Sequence, residues 1–276
     1  MSVEIRDVAL RSEYDACAYL QIDVWGFDEI EVVPAGHLVA MHHYGGTCIG
    51  AFDGDRLVGF SCGFGGWERG RPFHHSHMLA VLAEYRGRHI GENLKWAQRE
   101  RVLEQGIELI NWTFDPLQAP NANLNVNRLG CVVRRYKVNL YGESKSPLHG
   151  GIPTDRFEAE WYLKSQRVLD ARAGRPNDWP SWESLPRANR TRSTSEGLLA
   201  CEPALELDLD VEAFLIEVPK TITDLMARDR DLALDWRHQT RKLFQEYFEK
   251  GYCVEGLHRA DASAFYRLTR EQDPAD

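Results

Sequence analysis

The 276-residue sequence has no run of 18 consecutive apolar residues, so it offers no membrane-spanning helix. Its first stretch, MSVEIRDVALRSEYDA, is charged and carries no apolar core, and a secretory signal peptide is not expected. Cysteine is sparse: six residues, at 17, 48, 62, 131, 201 and 253, with no C-x-x-C pair. That spacing argues against a disulfide framework and reads as reduced, buried thiols of a cytoplasmic protein. Positive charge also falls short. Lys and Arg number 33 against 42 Asp and Glu, a net charge of -9, which argues against a general nucleic-acid binder. What is present is 43% apolar and 27% charged, a soluble globular composition long enough for one large domain or two small ones.

Along the first part, strand and helix signals alternate. Val3 to Val8 reads as a strand and Ser12 to Gly26 as a helix. Thr47 to Asp53 and Arg56 to Phe64 read as a hairpin across Asp-Gly-Asp, followed by a strand from Pro72 to Leu82. A helix from Ile90 to Glu104 places Leu94, Ala97, the Arg101 stem and Val102 near one face, with Gly106 where a C-cap belongs. Ile107 to Phe114 reads as a buried strand, Asn121 to Leu129 as a short helix, and Cys131 to Tyr141 and Phe157 to Leu163 as strands. The fold class is therefore α/β (α+β): a mixed sheet flanked by helices over residues 1–163.

Residues 164–210 change character. The stretch RPNDWPSWESLPRANRTRSTSEG reads as a long connection packed by Trp179 and Trp182. Residues 211–276 then form a β-α-β-β extension: a strand from Ala213 to Val218, a long helix from Ile222 to Gly251, and a hairpin of Tyr252 to His258 with Ala264 to Leu268. Leu225, Leu232, Trp236, Leu243 and Tyr247 give the helix its apolar stripe. Such a unit is too small to bury a core alone, so it is expected to dock on the first part or on a second subunit, as in a homodimer.

The segment LAVLAEYRGRHIGENLKWAQRE runs a strand into a Gly-containing turn and straight into a helix. Successive backbone N–H groups and a positive helix end make an anion cradle suited to a diphosphate. Arg86, Gly87, Arg88, His89, Ile90 and Gly91 resemble motif A of the GNAT acyltransferase superfamily, Q/R-x-x-G-x-G/A, with Val81 five residues ahead of Arg86. The family's middle Gly is His89 here, a residue that tolerates positive φ at a cost. An ordinary strand-to-helix turn is the competing reading of the hexapeptide alone. The element order of residues 1–163 and the later NANLNVNRLGCVVRRY add to the resemblance. HSHMLAV, NWTFDPLQAPNANLNVNRLG, YKVNLYG and GIPTDRFEAEW further resemble a branch of predicted GNAT acyltransferases that carries a C-terminal extension, some of whose members occur beside N-succinylamino acid racemases.

The resemblance implies coenzyme A as carrier, with acetyl-CoA or succinyl-CoA as acyl donor and a small-molecule amine, an amino acid among the candidates, as acceptor. It places Leu79, Ala80 and Val81 along the pantetheine arm, residues 86–91 on the pyrophosphate, and Asn123, with Asn121 second, on the cofactor. The slot that holds the catalytic Glu in the histone-acetylating branch is His75, eleven residues before Arg86, and an imidazole is a suitable base near neutral pH. Alternation sets His75 and His77 on one face, His74 and Ser76 on the other. The family's Tyr acid slot is Val126, so Tyr136 and Tyr141 are the replacement candidates. Trp25, Pro34, His37 and Met41 supply an acceptor wall, Trp112 and Asp115 lie on the strand that the family splays, and Arg156 suits a carboxylate grip. Each has a structural alternative: core packing for the tyrosines, capping for Asn121, and an ion pair with Asp155 or Glu160 for Arg156. The HHSH cluster also invites a metal reading, but no carboxylate or C-x-x-C partner accompanies it, and no metal is assigned. Direct acyl transfer leaves Cys62 and Cys131 without a nucleophilic role. A non-catalytic acyl-CoA-binding or interaction module is the alternative function, and neither a nucleic-acid nor a membrane partner is expected.

Overall fold

Glu13 shows how the first helix is set. Its carboxylate accepts the backbone N–H groups of Ala9 (2.8 Å) and Leu10 (3.1 Å), satisfying orphan donors at the helix start. At the other end Gly26, at φ 64°, returns its N–H to the Ile22 carbonyl. In this computed structural model, which describes residues 3–142, 151–175, 177, 179 and 181–270, the chain forms two compact units, Met1–Trp112 and Thr113–Asp276.

The first unit contains β1 (Glu4–Asp7), α1 (Arg11–Trp25), α2 (Ala35–His43), β2 (Thr47–Asp53), β3 (Arg56–Glu68), β4 (Arg71–Val81) and α3 (Ile90–Glu104), and enters β5 (Leu109–Phe114). Its strands are ordered β1-β2-β3-β4-β5. The first four pair antiparallel and β4 pairs parallel with β5. Helix α2 falls where the sequence offered only an acceptor wall. Leu20, Leu38, Phe52, Phe60, Leu94 and Val102 fill the core, each buried side chain of this size contributing about 1.5–3 kcal/mol.

The second unit contains α4 (Ala119–Ala122), a π-helical stretch (Asn123–Arg128), β6 (Val132–Lys137), β7 (Arg156–Tyr162), α5 (Gln166–Arg172), β8 (Thr191–Ser193), β9 (Leu199–Cys201), β10 (Ala213–Pro219), α6 (Ile222–Arg228), α7 (Arg230–Glu249), β11 (Tyr252–Arg259) and β12 (Ser263–Arg270). Its main strands are ordered β7-β6-β11-β12-β10. The additional C-terminal strands are thus present, in a mixed α/β protein of mostly antiparallel sheet flanked by helices. Phe157 centres the core, with Phe244 at 4.6 Å, Tyr266 at 5.4 Å and Phe114 at 5.6 Å between ring centroids.

Several elements differ from the sequence expectation. The long helix from Ile222 is two helices, because Asp229 turns to φ -152° and caps α7, its Oδ1 accepting the Leu232 N–H at 2.9 Å. Residues 164–210 carry a helix and a small hairpin, β8 with β9. Trp182 stacks on His258 at 3.9 Å, and Trp179 lies so close to Gly256 that a Cβ there would meet its ring at 2.6 Å. Strand β6 stops at Lys137, short of Tyr141. Gln118, not Asn121, takes the N-cap of α4, and Asn121 is an exposed residue inside it.

Candidate active site

The register of β4 determines what each histidine does. Pairing with β3 runs Cys62–Met78 and then Gly63–Ser76, which leaves His77 as the extra residue of a bulge. His74 and Ser76 are buried, whereas His75 and His77 face the other side with ring centroids 6.1 Å apart, as alternation predicts. Phe64 packs against both rings, at 5.3 and 5.9 Å. His75 Nδ1 lies 2.8 Å from Asn111 Oδ1. A carbonyl oxygen can only accept, so Nδ1 carries a proton, and in the neutral ring the lone pair is on Nε2. Asn111 is the orienting partner that the sequence reading missed; its signal was its place on the neighbouring parallel strand.

On the opposite face lies a buried polar chain. Lys95 Nζ donates to Ser76 Oγ (2.8 Å) and Gln98 Oε1 (3.0 Å), and Gln98 Nε2 donates to Thr47 Oγ1 (3.0 Å). Thr47 Oγ1 is 3.1 Å from His74 Nε2. Burial, reinforced by the Lys95 charge, lowers the His74 imidazole to about 3, so it is neutral. Gly63 is required here, since a Cβ would collide with His74 Nε2 and the His75 carbonyl. Trp112, expected near the acceptor, lies under α3 with its ring face 3.5 Å from Lys95 Nζ, away from His75.

Past β4 the chain makes a short turn, Ala83–Tyr85, pinned by the Tyr85 hydroxyl donating to Asp53 Oδ2 at 2.7 Å. Gly87 then takes φ 77° and His89 φ 61°, so the left-handed backbone expected at the middle slot is present with a histidine in it. His89 Nδ1 is 3.1 Å from Glu92 Oε2. Arg86, Gly87, Arg88 and His89 are all exposed, and nothing lies within 4 Å of a Cβ added at Gly87. Arg88 rests over the Tyr85 ring at 5.0 Å. The N–H groups at the start of α3 have no intrahelical partner. This open, positively charged turn fits a diphosphate. Leu79 and Val81 are half-buried and Ala80 is buried at the adjoining end of β4; Ile90 is buried; a Cβ at Gly91 would reach only ordinary contact with Leu79 and Val81.

The remaining first-unit residues line up near the histidines in part. His37 is exposed on α2, and burial is the main cause that lowers the pKa of His77. Trp25 ends α1, half-buried, 5.2 Å from Phe27 and 6.5 Å from Phe60. Among the described residues no group of three or more His, Cys, Asp or Glu could hold a metal ion, and no described helix is long and apolar enough to cross a membrane.

Four second-unit candidates converge. Asp115 takes a bidentate pair from Arg237 (2.8 and 2.6 Å), and Arg156 Nη1 is 3.7 Å from the same Oδ2 that Arg237 Nη2 contacts. Burial disfavours the Asp115 carboxylate, yet the Arg237 charge outweighs it and holds its pKa below the usual value. Arg156 lies 5.4 Å from the Tyr141 ring, whose hydroxyl is 3.0 Å from Thr113 Oγ1. Tyr136 donates to Asp155 at 2.6 Å, and burial together with that carboxylate raises its phenol well above the usual range. Asp155 also takes a bidentate pair from Arg241, at 2.8 and 2.9 Å. Arg237 and Arg241 were absent from the sequence reading, which used the α7 helix only for its apolar stripe. Asn123 accepts from Asn127 at 3.0 Å, and Asn127 in turn clasps Leu257 through its backbone, donating to the carbonyl at 2.7 Å.

No curated protein matches this sequence. Among solved structures, similar ones include a GNAT-family protein from Desulfovibrio desulfuricans (16% identity, 59% of this chain and 99% of that one, TM-score 0.48). A chain of the NatC complex bound to Gag peptide and CoA is similar over 59% of this chain and 100% of its own, at 15% identity and TM-score 0.47. YncA from Salmonella typhimurium, with acetyl-CoA, aligns over 60% and 96% at 15% identity and TM-score 0.46. Residues 8–129, which hold His75, the whole of β4 and the turn ahead of α3, match the model of the acetyltransferase (GNAT) family.

Proposed function

We propose that the protein is an acyl-CoA-dependent N-acyltransferase that moves an acetyl or succinyl group from coenzyme A directly to the amine of a small molecule, with an amino acid as the favoured acceptor class. The observation that carries the reading is the turn of Gly87 and His89, both at positive φ, opening onto the start of α3 beside the exposed Arg86 and Arg88. Residues 86–91 would hold the pyrophosphate through backbone N–H groups and charge, and Leu79, Ala80 and Val81 would lie along the pantetheine. Coenzyme A, when bound, supplies the acyl group as a thioester.

The protein's own task is to ready the amine. His75, with Nδ1 held by Asn111, presents Nε2 as the base that takes the ammonium proton. Tyr136 has its proton committed to Asp155, whereas Tyr141 is 56% exposed, so of the two candidate acids Tyr141 keeps the more accessible phenol. Arg156 and its aromatic neighbour Tyr141 suit the carboxylate of an amino acid. The similarity to acyltransferases with a C-terminal extension, some beside N-succinylamino acid racemases, supports that acceptor class and the succinyl donor. Asn121, Asn123, Trp25, His37 and Asp115 remain proposed contacts on the similarity to the GNAT superfamily, whereas Trp112 packs on Lys95 instead. We also propose the division into a 1–163 core, a 164–210 connection and a 211–276 extension, a cytoplasmic location and a homodimer.

Calorimetry with acetyl-CoA, succinyl-CoA and free coenzyme A tests the reading. Micromolar binding of a thioester is expected, followed by thiol release with an amino-acid panel. His75→Ala should then lower kcat/KM by about 10²–10⁴-fold at unchanged thioester affinity, the range of general-base catalysis. Binding without any release would favour an acyl-CoA-binding module, a reading supported by the buried Val126 at the usual acid position. Absence of binding by all three would overturn both.

A further inference from the structure

The parallel pairing of β4 with β5 covers His74–Ile110 and His75–Asn111. The next residues on the two strands are Ser76 and Trp112. Both are contacted by one atom, Lys95 Nζ, 2.8 Å from Ser76 Oγ and 3.5 Å from the centre of the Trp112 ring. Lys95 is 2% exposed. Its ammonium N–H groups meet the Ser76 and Gln98 oxygens and the face of an indole, which suits a cation. The same Gln98 is tied through Thr47 to β2 and approaches His74 on β4, so the ammonium is anchored in depth. A buried charge is costly, and an aliphatic side chain would fill this space at less cost. On the other edge of β4, the bulge at His77 falls one residue further along.

We infer that Lys95 is a positioning residue: a strut at the fork between β4 and β5 that fixes where the strands part. Without it, Ser76 and Trp112 would form the next ladder pair, and the β4 edge beyond His75 would lose its open backbone groups. Resting on the acyltransferase reading, that edge is where the donor's arm would lie, so the strut would set the width of the donor opening without touching the donor.

The test is hydrogen–deuterium exchange of the unliganded full chain, comparing wild type with Lys95→Met, which keeps chain length and removes the charge. The expected result is slower exchange, by about tenfold, confined to β4 amides after His75, as pairing runs on. Lys95→Arg should restore part of the wild-type rate. A merely structural lysine predicts the opposite, faster exchange across the unit, and that result or no change would overturn the inference. Should Lys95→Met fail to fold, Trp112→Leu removes the aromatic half of the fork, and slower exchange in the same β4 peptide is again required. A parallel titration with acetyl-CoA keeps the two ideas apart. Wild type that binds no thioester defeats the acyltransferase reading while the exchange data still decide the strut. If wild type binds and the strut is real, Lys95→Met should weaken binding by about tenfold.

Discussion

At the residue scale, backbone angle and burial explain most of the site. Gly87 has open space around it, so within the protein its φ of 77°, and not crowding, is what favours glycine. Gly87→Ala is expected to cost about 1–2 kcal/mol through left-handed strain alone, read by urea unfolding, and to weaken acetyl-CoA binding. His89 already bears such strain in the next positive-φ position, where histidine is among the better-tolerated residues. His74 makes a pH prediction. Its folded pKa is depressed from 6.5 to about 3 by burial and Lys95. The unfolded chain therefore binds the proton first, and stability is full above pH 6.5 and falls as pH drops toward 3. The expected slope from this group is about 1.4 kcal/mol per pH unit. Glu13, held at about 2 chiefly by its hydrogen bond with Arg6, adds a further loss below pH 4.5. Urea unfolding at pH 7 and pH 5 should show the His74 part, and His74→Gln should flatten it.

At the element scale, apolar spacing located helices well and polar residues corrected it. The α3 stripe was read as Leu94, Ala97 and Val102, yet its buried face also includes Ile90, Lys95, Gln98 and Arg99. Ile90, Leu94, Gln98 and Val102 are spaced by four, so the face was legible in position; what hid it was the assumption that lysine and glutamine face water. Arg101, counted for its stem, instead pairs with Asp7 at 3.1 Å. Similarly, the stripe across α6 and α7 was legible, but the break at Asp229 was not, because aspartate at a helix interior and aspartate at an N-cap look alike without the backbone. Asp229→Ala should cost about 1 kcal/mol by removing the α7 cap, measured by thermal or denaturant unfolding.

At the scale of the whole molecule, the element order of the acyltransferase-like part was legible because strand and helix signals alternate cleanly there. The left-handed backbone of the turn ahead of α3 was legible through the resemblance of residues 86–91 to the family motif, although the hexapeptide alone reads equally well as an ordinary strand-to-helix turn. The ionic cluster of the second unit was not, because Asp115, Asp155, Arg156, Arg237 and Arg241 come from three separate stretches of sequence and meet only through the fold. Asp155 is fully buried with Arg241, Tyr136 and the Asn139 N–H upon it. Asp155→Ala strands the arginine and should cost about 3–5 kcal/mol, a large share of an ordinary fold's stability of about 5–15 kcal/mol. Denaturant unfolding of the full chain would measure it.

All six cysteines are free and buried. Thiol dyes react with exposed thiolates, and these side chains offer none to the solvent while the protein is folded. A colour reagent added to the native protein would therefore report the sulfhydryl of any coenzyme A released in the proposed reaction against a silent protein background, so that reaction could be followed continuously and without quenching. Any slow colour growth in the absence of an acceptor would measure unfolding or thioester hydrolysis, and omitting the acyl donor would separate the two.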